Sequence, residues 1–247
     1  MANFNFNKVI LIGKLARNID TNSAAPFSIE IPRRFKEGTS DIIPIIPAND
    51  KVIDTIKQGI TTAKSACIEG VIRVTSIDKN GTKISLTEIV ADSVTFSTDI
   101  TPFNMNQVIV AGKLVRDVET RTAGQTNVAT FTVAVNRPTK DKTADYVRVT
   151  AFGKTADFVG KYFHKGSSIC VRGDIRVDVA EKNGFKNVYT NVSADTVSFV
   201  DGMNDSDGNK GYTVKHHVKN QTIQTPYNSA PAAENPLATA PEEDLPF

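Results

Sequence analysis

The sequence lacks long hydrophobic runs and paired cysteines. Its longest apolar stretches are strand-like runs such as residues 9–12, far below the ~20 residues of a membrane helix, and no cationic leader precedes a signal-type core. Cys67 and Cys170 lie in apolar segments without CxxC or Cys/His spacing. We therefore expect buried free thiols, no disulfide or metal site, no membrane association and a cytoplasmic protein.

Catalytic motifs are also missing. His164 lies at the end of a predicted helix, and His216 and His217 lie in a polar tail. There is no P-loop, no HxxEH-type pair and no acid pair with a plausible pocket. We expect neither an enzyme nor a cofactor, with a nuclease or helicase subunit as the alternative from that class.

Charge is unevenly placed along the chain. The formal net charge is +2, but residues 201–247 hold three lysines against seven acidic residues and so carry −4. Residues 1–200 therefore carry +6. A basic body with an acidic tail favours a polyanionic ligand, although an ordinary solvated surface gives the same balance.

An internal repeat organises the first 200 residues. Residues 7–18 return as residues 106–117 with seven of twelve positions identical, and residues 78–96 match residues 181–199 at nine of nineteen. We therefore expect a first domain at 1–100, a second domain at 101–200 and a tail at 201–247.

Each copy is predicted to contain three strands, one short helix and a two-stranded hairpin. Residues 131–135 and 147–151 alternate apolar with polar or small side chains, as half-buried strands do. This order predicts an all-β fold with two tandem five-stranded OB-fold barrels, each with one short helix. A generic small β-domain is the alternative.

Capping residues and apolar spacing locate the two helices. Thr155 is predicted to cap a helix that runs to about residue 165 and ends at Gly166. Its predicted inward side chains are Phe158, Val159, Tyr162 and Phe163. Asp50 is predicted to cap the helix of the first copy, which stops at Gly59 and packs through Val52, Ile53 and Ile56.

The tail, residues 201–247, differs in composition from the two copies. It is rich in Asn, Asp, Ser, Thr, Ala and Pro and cannot bury enough apolar area to offset chain entropy, so we predict disorder. Its tip is Glu242, Glu243, Asp244, Leu245, Pro246 and Phe247. An apolar end behind three acids predicts a partner-binding segment, with a solubilising acidic terminus as the alternative.

Aromatic and cationic side chains are predicted to share the outer face of the second copy. Alternation points Tyr146, Arg148, Thr150 and Phe152 outward, and Phe185, Asn187 and Tyr189 share one face of the last strand. The predicted interface comprises Tyr146, Phe152, Phe185, Tyr189, Arg148, Lys154, Arg137, Arg176 and Lys186. Stacked bases contribute ~1–3 kcal/mol each, and cations follow the phosphates. The alternatives are core or cross-strand aromatics and solvated cations.

Four segments are distinctive when taken together. They are residues 106–114 (NQVIVAGKL), 129–137 (ATFTVAVNR), 146–154 (YVRVTAFGK) and 242–247 (EEDLPF). They resemble the bacterial single-stranded DNA-binding proteins. The resemblance implies that Tyr146 and Phe152 stack bases, that Arg148 and Lys154 neighbour them, and that the tip docks repair and replication proteins.

The resemblance also implies a function and an assembly. Its function would be to bind and protect single-stranded DNA without strong sequence preference in replication, recombination and repair, at the nucleoid. Members with two domains pair as homodimers with four OB-folds. An RNA-binding or recombination-mediator protein is the alternative. The family commonly stacks bases on tryptophans, but this chain has none, and Thr139 and about residue 180 stand where two are expected.

The first copy has lost the candidate stacking residues. Tyr146, Arg148, Phe152, Phe185 and Tyr189 are matched there by Ile42, Pro44, Ala48, Thr82 and Leu86. Pro44 lacks a ladder donor, so its strand is predicted to be an edge or interrupted.

We therefore expect the first domain mainly to build the assembly. The residues that would pack in it are Ile42, Ile46, Ile84 and Leu86, and a weaker DNA contact would come from Arg33, Arg34, Phe35 and Lys36. The alternative is that the first domain also binds DNA, through aliphatic contacts and charge.

Overall fold

A computed structural model describes residues 4–16, 25–34, 36–79, 82–100, 103–139, 143–182 and 185–200. At residues 77–79, 82–84, 179–182 and 185–188 it describes the backbone only. The described chain is mostly β, with eleven strands and two short helices. All of these strands join one hydrogen-bonded sheet, and one hydrophobic core runs through both copies of the repeat.

The first copy forms a closed ring of five strands. Its elements are β1 (Phe6–Ala16), β2 (Phe27–Pro32), β3 (Ser40–Pro47), α1 (Asp50–Gly59), β4 (Ser65–Lys79) and β5 (Thr82–Ser97). β1 pairs with β2 and β4, β2 pairs with β3, and β5 closes the ring against β4 and, in parallel, β3. The β4–β5 register shifts at Gly70, where any Cβ would collide with the Val90 carbonyl oxygen. Glycine therefore permits the bulge that bends β4 around the ring.

The second copy repeats this connectivity and adds one strand. Its elements are β6 (Met105–Leu114), β7 (Glu119–Ala123), β8 (Thr126–Asn136), β9 (Ala144–Phe152), α2 (Gly153–Tyr162), β10 (Ser168–Lys182) and β11 (Phe185–Phe199). β6, β8, β9, β11 and β10 form the ring. Among the described strands, β7 pairs only with β8, through a two-residue turn in which Gly124 has a φ of +61°. The sequence-based count of five strands omitted β7.

Both helices differ from their predictions at the N-terminus. Asn49, not Asp50, caps α1, since its side chain accepts a hydrogen bond from the Val52 N–H at 3.1 Å. α2 begins at Gly153 after an N-cap Phe152 without a side-chain bond, so Thr155 lies inside the helix. Among the described residues, no helix is long and apolar enough to cross a membrane.

The C-terminal end of α2 also corrects the prediction. The helix ends at Tyr162, not near residue 165, because Phe163 leaves it with an extended φ of −115°. Val159 and Phe163 are buried and Phe158 is half-buried, as expected of inward side chains, but Tyr162 is exposed. Tyr162 therefore lies on the solvent side of the helix.

The two cysteines occupy equivalent positions on β4 and β10. Both are free, as predicted, but Cys67 and Cys170 are half-buried rather than buried. Burial still raises the pKa of both thiols above the usual value.

The two rings join through their first strands. β1 and β6 pair antiparallel, with Val9 opposite Val108. These two valines are equivalent in the repeat, so a local two-fold axis that relates the two copies passes between them. Asn7 and Asn106 show the same relation, since each side-chain Nδ2 donates to a carbonyl of β4 or β10 at 2.8 Å. The repeat in sequence is thus a repeat in structure.

Candidate nucleic-acid interface

Strand β9 presents an aromatic and cationic face to solvent. Val147, Val149 and Ala151 are buried in the ring. Tyr146 and Phe152 point the other way and are exposed. The predicted alternation of this strand is therefore confirmed.

Strand β11 adds a third aromatic to the same face. β11 runs parallel to β9, with Ser193 opposite Thr150, so the outward side chains of the two strands share one surface. Tyr189 is exposed on β11. The side chains of Phe185 and Lys186, also predicted for this site, lie outside the described residues. We call Tyr146, Phe152 and Tyr189 the aromatic platform.

Two cations beside the platform face solvent. Arg148 lies between the two aromatics of β9, and Lys154 follows Phe152 in the first turn of α2. Both are exposed, and neither forms an ion pair within the described part of the chain. Their charges are thus available to a phosphate backbone that crosses the platform.

The other two predicted arginines are engaged in ion pairs. The Nη2 atom of Arg137 lies 2.7 Å from Oδ1 of Asp145, and Nη1 of Arg176 lies 3.0 Å from Oδ2 of Asp41. Both carboxylates are buried, and a buried charge without a partner would destabilise the fold. The arginines neutralise these charges. Their role as DNA ligands stays a prediction.

Both buried carboxylates also bind groups of the other copy. Asp145 of the second copy accepts a bond from Arg73 of the first copy at 2.9 Å and from the backbone N–H of Val74 at 2.7 Å. Asp41 of the first copy accepts equivalent bonds from Arg176 and from the N–H of Val177, at 3.0 and 2.9 Å. Each buried carboxylate therefore binds one copy to the other.

Arg33 and Arg34 of the first copy contact the second copy, although Arg33 also pairs with Asp41 of its own copy at 2.7 Å. Nη2 of Arg33 donates to the Val177 carbonyl at 2.9 Å, and Nη2 of Arg34 lies 2.8 Å from Asp174 and 2.7 Å from Asp195. The hydrogen bonds to these aspartates raise the pKa of Arg34, whereas burial raises the pKa of Asp174.

Both side chains therefore reach the strands β10 and β11, whereas the sequence predicts for them only a weaker DNA contact made by the first domain. Lys36 is exposed, and Phe35 lies outside the described residues.

Sequence analysis missed Arg121. It is exposed on β7, opposite Val128, which is itself opposite Phe152, so the three form a row across neighbouring strands. Arg121, Phe152 and Thr150 line one cleft of about 400 Å³. The signal in the sequence is residues 119–123 (ETRTA), where threonine, a strand-forming residue, occupies alternate positions before the turn at Gly124.

The equivalent face of the first copy is aliphatic. Ile42 and Ala48 are exposed, and Pro44, Ile46 and Leu86 are partly exposed. The side chains of Thr82 and Ile84 are not among those described. β3 is continuous through Pro44, so the prediction that this strand is interrupted was wrong. At Pro44, β3 pairs with β2 but with no other described strand, so this part of β3 is an edge, which is the other form of the prediction.

Comparison with known proteins agrees with this geometry. The family model described as "Single-strand binding protein family" matches residues 105–200. A single-stranded DNA-binding protein of Staphylococcus aureus (strain MRSA252) is 35% identical over 156 residues, which cover 58% of this chain and 99% of that protein. The chain belongs to the single-strand binding protein family.

Other members of the single-strand binding protein family extend the comparison. The single-stranded DNA-binding protein of Thermotoga maritima is 39% identical over 104 residues, or 39% of this chain and 74% of that protein. The wild-type single-stranded DNA binding protein of Thermus aquaticus has a TM-score of 0.61 at 20% identity and covers 79% of this chain and 93% of its own. At that identity the likeness shows the fold. The family is non-catalytic, so this chain is not an enzyme.

Proposed function

We propose that the chain binds and protects single-stranded DNA, without strong dependence on base sequence, during replication, recombination and repair. The observation that carries the proposal is the aromatic platform, whose Tyr146, Phe152 and Tyr189 are 56%, 50% and 52% exposed on one face. Exposed aromatics that cluster on a folded surface mark an interaction site.

The chemistry of this face suits single strands better than duplexes. Every unpaired base offers a π-face to an aromatic ring, worth ~1–3 kcal/mol, whereas bases in a duplex are stacked on each other. Arg148 and Lys154 neutralise phosphates at fixed distances from the rings. The platform makes few demands on base identity, so the affinity should depend weakly on sequence.

Equilibrium titration tests the proposal. Fluorescently labelled dT oligonucleotides, RNA of matched length and a duplex of matched length are titrated with the protein at moderate salt. We expect the DNA single strand to bind most tightly and the duplex poorly. Equal affinity for duplex and single strand would contradict the proposal, and tighter binding of RNA would favour an RNA-binding protein.

The proposed organisation is two tandem OB-fold domains, at 1–100 and 101–200, followed by the disordered tail 201–247. The shared connectivity of the two closed rings supports the two domains. The second domain carries the main DNA site. The first domain mainly builds the assembly, in keeping with the aliphatic Ile42, Ile46 and Leu86 on its equivalent face, and its Arg33 and Arg34 extend the second domain's site.

The proposed assembly is a homodimer with four OB-folds, and the location is the nucleoid in the cytoplasm. A closed two-fold dimer would let one strand cross several domains. Light scattering at micromolar concentration should give the mass of two chains, and a mass of one chain would refute the dimer.

The C-terminal tip is proposed to recruit replication, recombination and repair proteins. Glu242, Glu243 and Asp244 would steer the approach to a basic partner, and Phe247 with its carboxylate would fill a small apolar pocket. Pull-downs with and without residues 242–247 test this. We expect partners to be lost and DNA affinity to be kept, and recovery of the same proteins by both forms would contradict it.

A further inference from the structure

Two clefts at the junction of the copies occupy positions related by the local two-fold. The first, of about 450 Å³, lies on the β10 side and is lined in part by Phe103, Asn104 and Asn106. The second, of about 530 Å³, lies on the β4 side and is lined in part by the equivalent Asn5 and Asn7. We call them the junction cleft and the opposite cleft.

The two clefts differ in charge. Among described residues, the junction cleft is lined by four arginines and two aspartates, Arg33, Arg34, Arg172, Arg176, Asp174 and Asp195. The opposite cleft has two of each, Arg73, Arg137, Asp92 and Asp145. The junction cleft thus carries a formal +2 and the opposite cleft none.

Two positions that hold an arginine of the junction cleft hold no cation in the other copy. Alignment on the bulge glycines of β4 and β10 matches Arg172 to Glu69, and the repeat matches Arg34 to Pro138. Arg172 is exposed and forms no ion pair with any described residue, so its charge is free to meet a phosphate.

The junction cleft is continuous with the platform. The cleft of about 400 Å³ beside Phe152 is lined by Arg33 and Arg176. The same two arginines line the junction cleft. Asp195 of the junction cleft follows Ala194, which lies opposite Ala151, the neighbour of Phe152. The opposite cleft adjoins the other end of the platform, since its Asp145 precedes Tyr146, and no platform aromatic lines either cleft. The clefts therefore differ in charge and not in their distance from the platform along β9.

The junction cleft also contains an exposed aromatic ring. Phe103 is 55% exposed in the junction cleft. Phe4, its match in the repeat, is also 55% exposed and precedes Asn5 of the opposite cleft, but it does not line that cleft. Single-stranded nucleic acids bind to surfaces on which cations lie between exposed aromatic side chains, because the cations contact the phosphates and the aromatic rings stack on the bases.

We propose that single-stranded DNA leaves the platform on one side only, passes Arg121 and Arg33, and enters the junction cleft, where a base stacks on Phe103 and Arg172 binds a phosphate. The proposal rests on the function proposed above and adds the direction of the strand. In this proposal DNA binds in the junction cleft and not in the opposite cleft, although the two clefts are related by the local two-fold.

The absence of tryptophan from the chain supplies a direct test. Three full-length variants, Phe152→Trp, Phe103→Trp and Phe4→Trp, each place one fluorescent reporter at an exposed phenylalanine. They are titrated with dT oligonucleotides of about 8 nucleotides, within the site of one fold, and about 30 nucleotides, enough for two folds. Labelled DNA is followed in parallel by anisotropy.

We expect both oligonucleotides to quench the reporter at 152, only the longer one to quench the reporter at 103, and neither to quench the reporter at 4. Absence of quenching at 103, or equal quenching at 103 and 4, while the reporter at 152 responds, would overturn the proposed path. If no oligonucleotide binds, the proposed function itself fails, so the two failures are distinguishable.

An affinity measurement adds a second test without tryptophan. Arg172→Glu installs the side chain of Glu69, the matching residue on β4, and Lys57→Glu on α1 makes the same charge change outside both clefts. We expect Arg172→Glu to weaken binding of the longer oligonucleotide at least fivefold more than Lys57→Glu does, with the shorter one affected equally by both. Equal effects of the two variants on the longer oligonucleotide would contradict a phosphate contact at Arg172.

Discussion

Replacing Asp145 with alanine tests the ion pairs that join the two copies. The Asp145 side chain is 1% exposed and faces Arg137 and Arg73, which are 21% and 30% exposed. Alanine would remove the carboxylate that both guanidinium groups contact and would leave the N–H of Val74 without its acceptor. Breaking a buried pair from one side costs ~3–5 kcal/mol. That is a large share of the ~5–15 kcal/mol that stabilises a typical domain.

Urea denaturation at fixed protein concentration, followed by circular dichroism, measures the loss of unfolding free energy, and thermal denaturation measures the accompanying shift in melting temperature. At about 2–4 °C per kcal/mol for a chain of this size, the melting temperature should fall by roughly 6–20 °C. Asp41→Ala should cost a similar amount because Asp41 holds the equivalent position. The control is Glu69→Ala, which breaks the exposed Lys8–Glu69 pair and should cost under ~1 kcal/mol. A loss for Asp145→Ala no larger than that of the control would refute the reasoning.

Three further predictions concern the platform, the salt dependence and the thiols. Tyr146→Ala should weaken DNA binding by ~1–3 kcal/mol, whereas Ile42→Ala should affect stability or assembly, and equal losses of affinity would contradict the division between the copies. The log-log dependence of affinity on salt should have a slope near −0.7 per phosphate contact, made shallower by about 0.7 in Lys154→Ala. Because burial raises the pKa of Cys67 and Cys170, their thiolate fraction at pH 8 is lower in the folded chain, so iodoacetamide should alkylate them more slowly than in urea.

Much of the fold could be predicted from local patterns in the sequence. The alternation of residues 147–151 and the repeat of residues 7–18 concern neighbouring residues, and the structure confirms the strand and the repetition. The helices were found, but their caps were misassigned, because Asn49 and Asp50 are both suitable capping residues and the sequence does not show which one adopts the extended backbone.

The crossed ion pairs could not be predicted in this way. Arg176 and Asp41 are 135 residues apart, and their contact depends on how β1 and β6 bring the copies together. For the same reason Arg33 and Arg34, in the first copy by sequence, contact β10 and β11 of the second, and Arg33 shares a cleft with Phe152 of the platform. Arg121 was missed because β7 pairs with β8 alone and has no counterpart in the predicted five-stranded ring.

The most direct test of the central claim, that bases stack on exposed aromatics of the second copy, is the affinity of Phe152→Ala for a dT oligonucleotide. The matched control is Tyr162→Ala, which truncates another exposed aromatic, on α2 and away from the platform. Stacking worth ~1–3 kcal/mol predicts a loss of about 5- to 150-fold for Phe152→Ala and none for Tyr162→Ala. Unchanged affinity in Phe152→Ala, or an equal loss in both variants, would contradict the account.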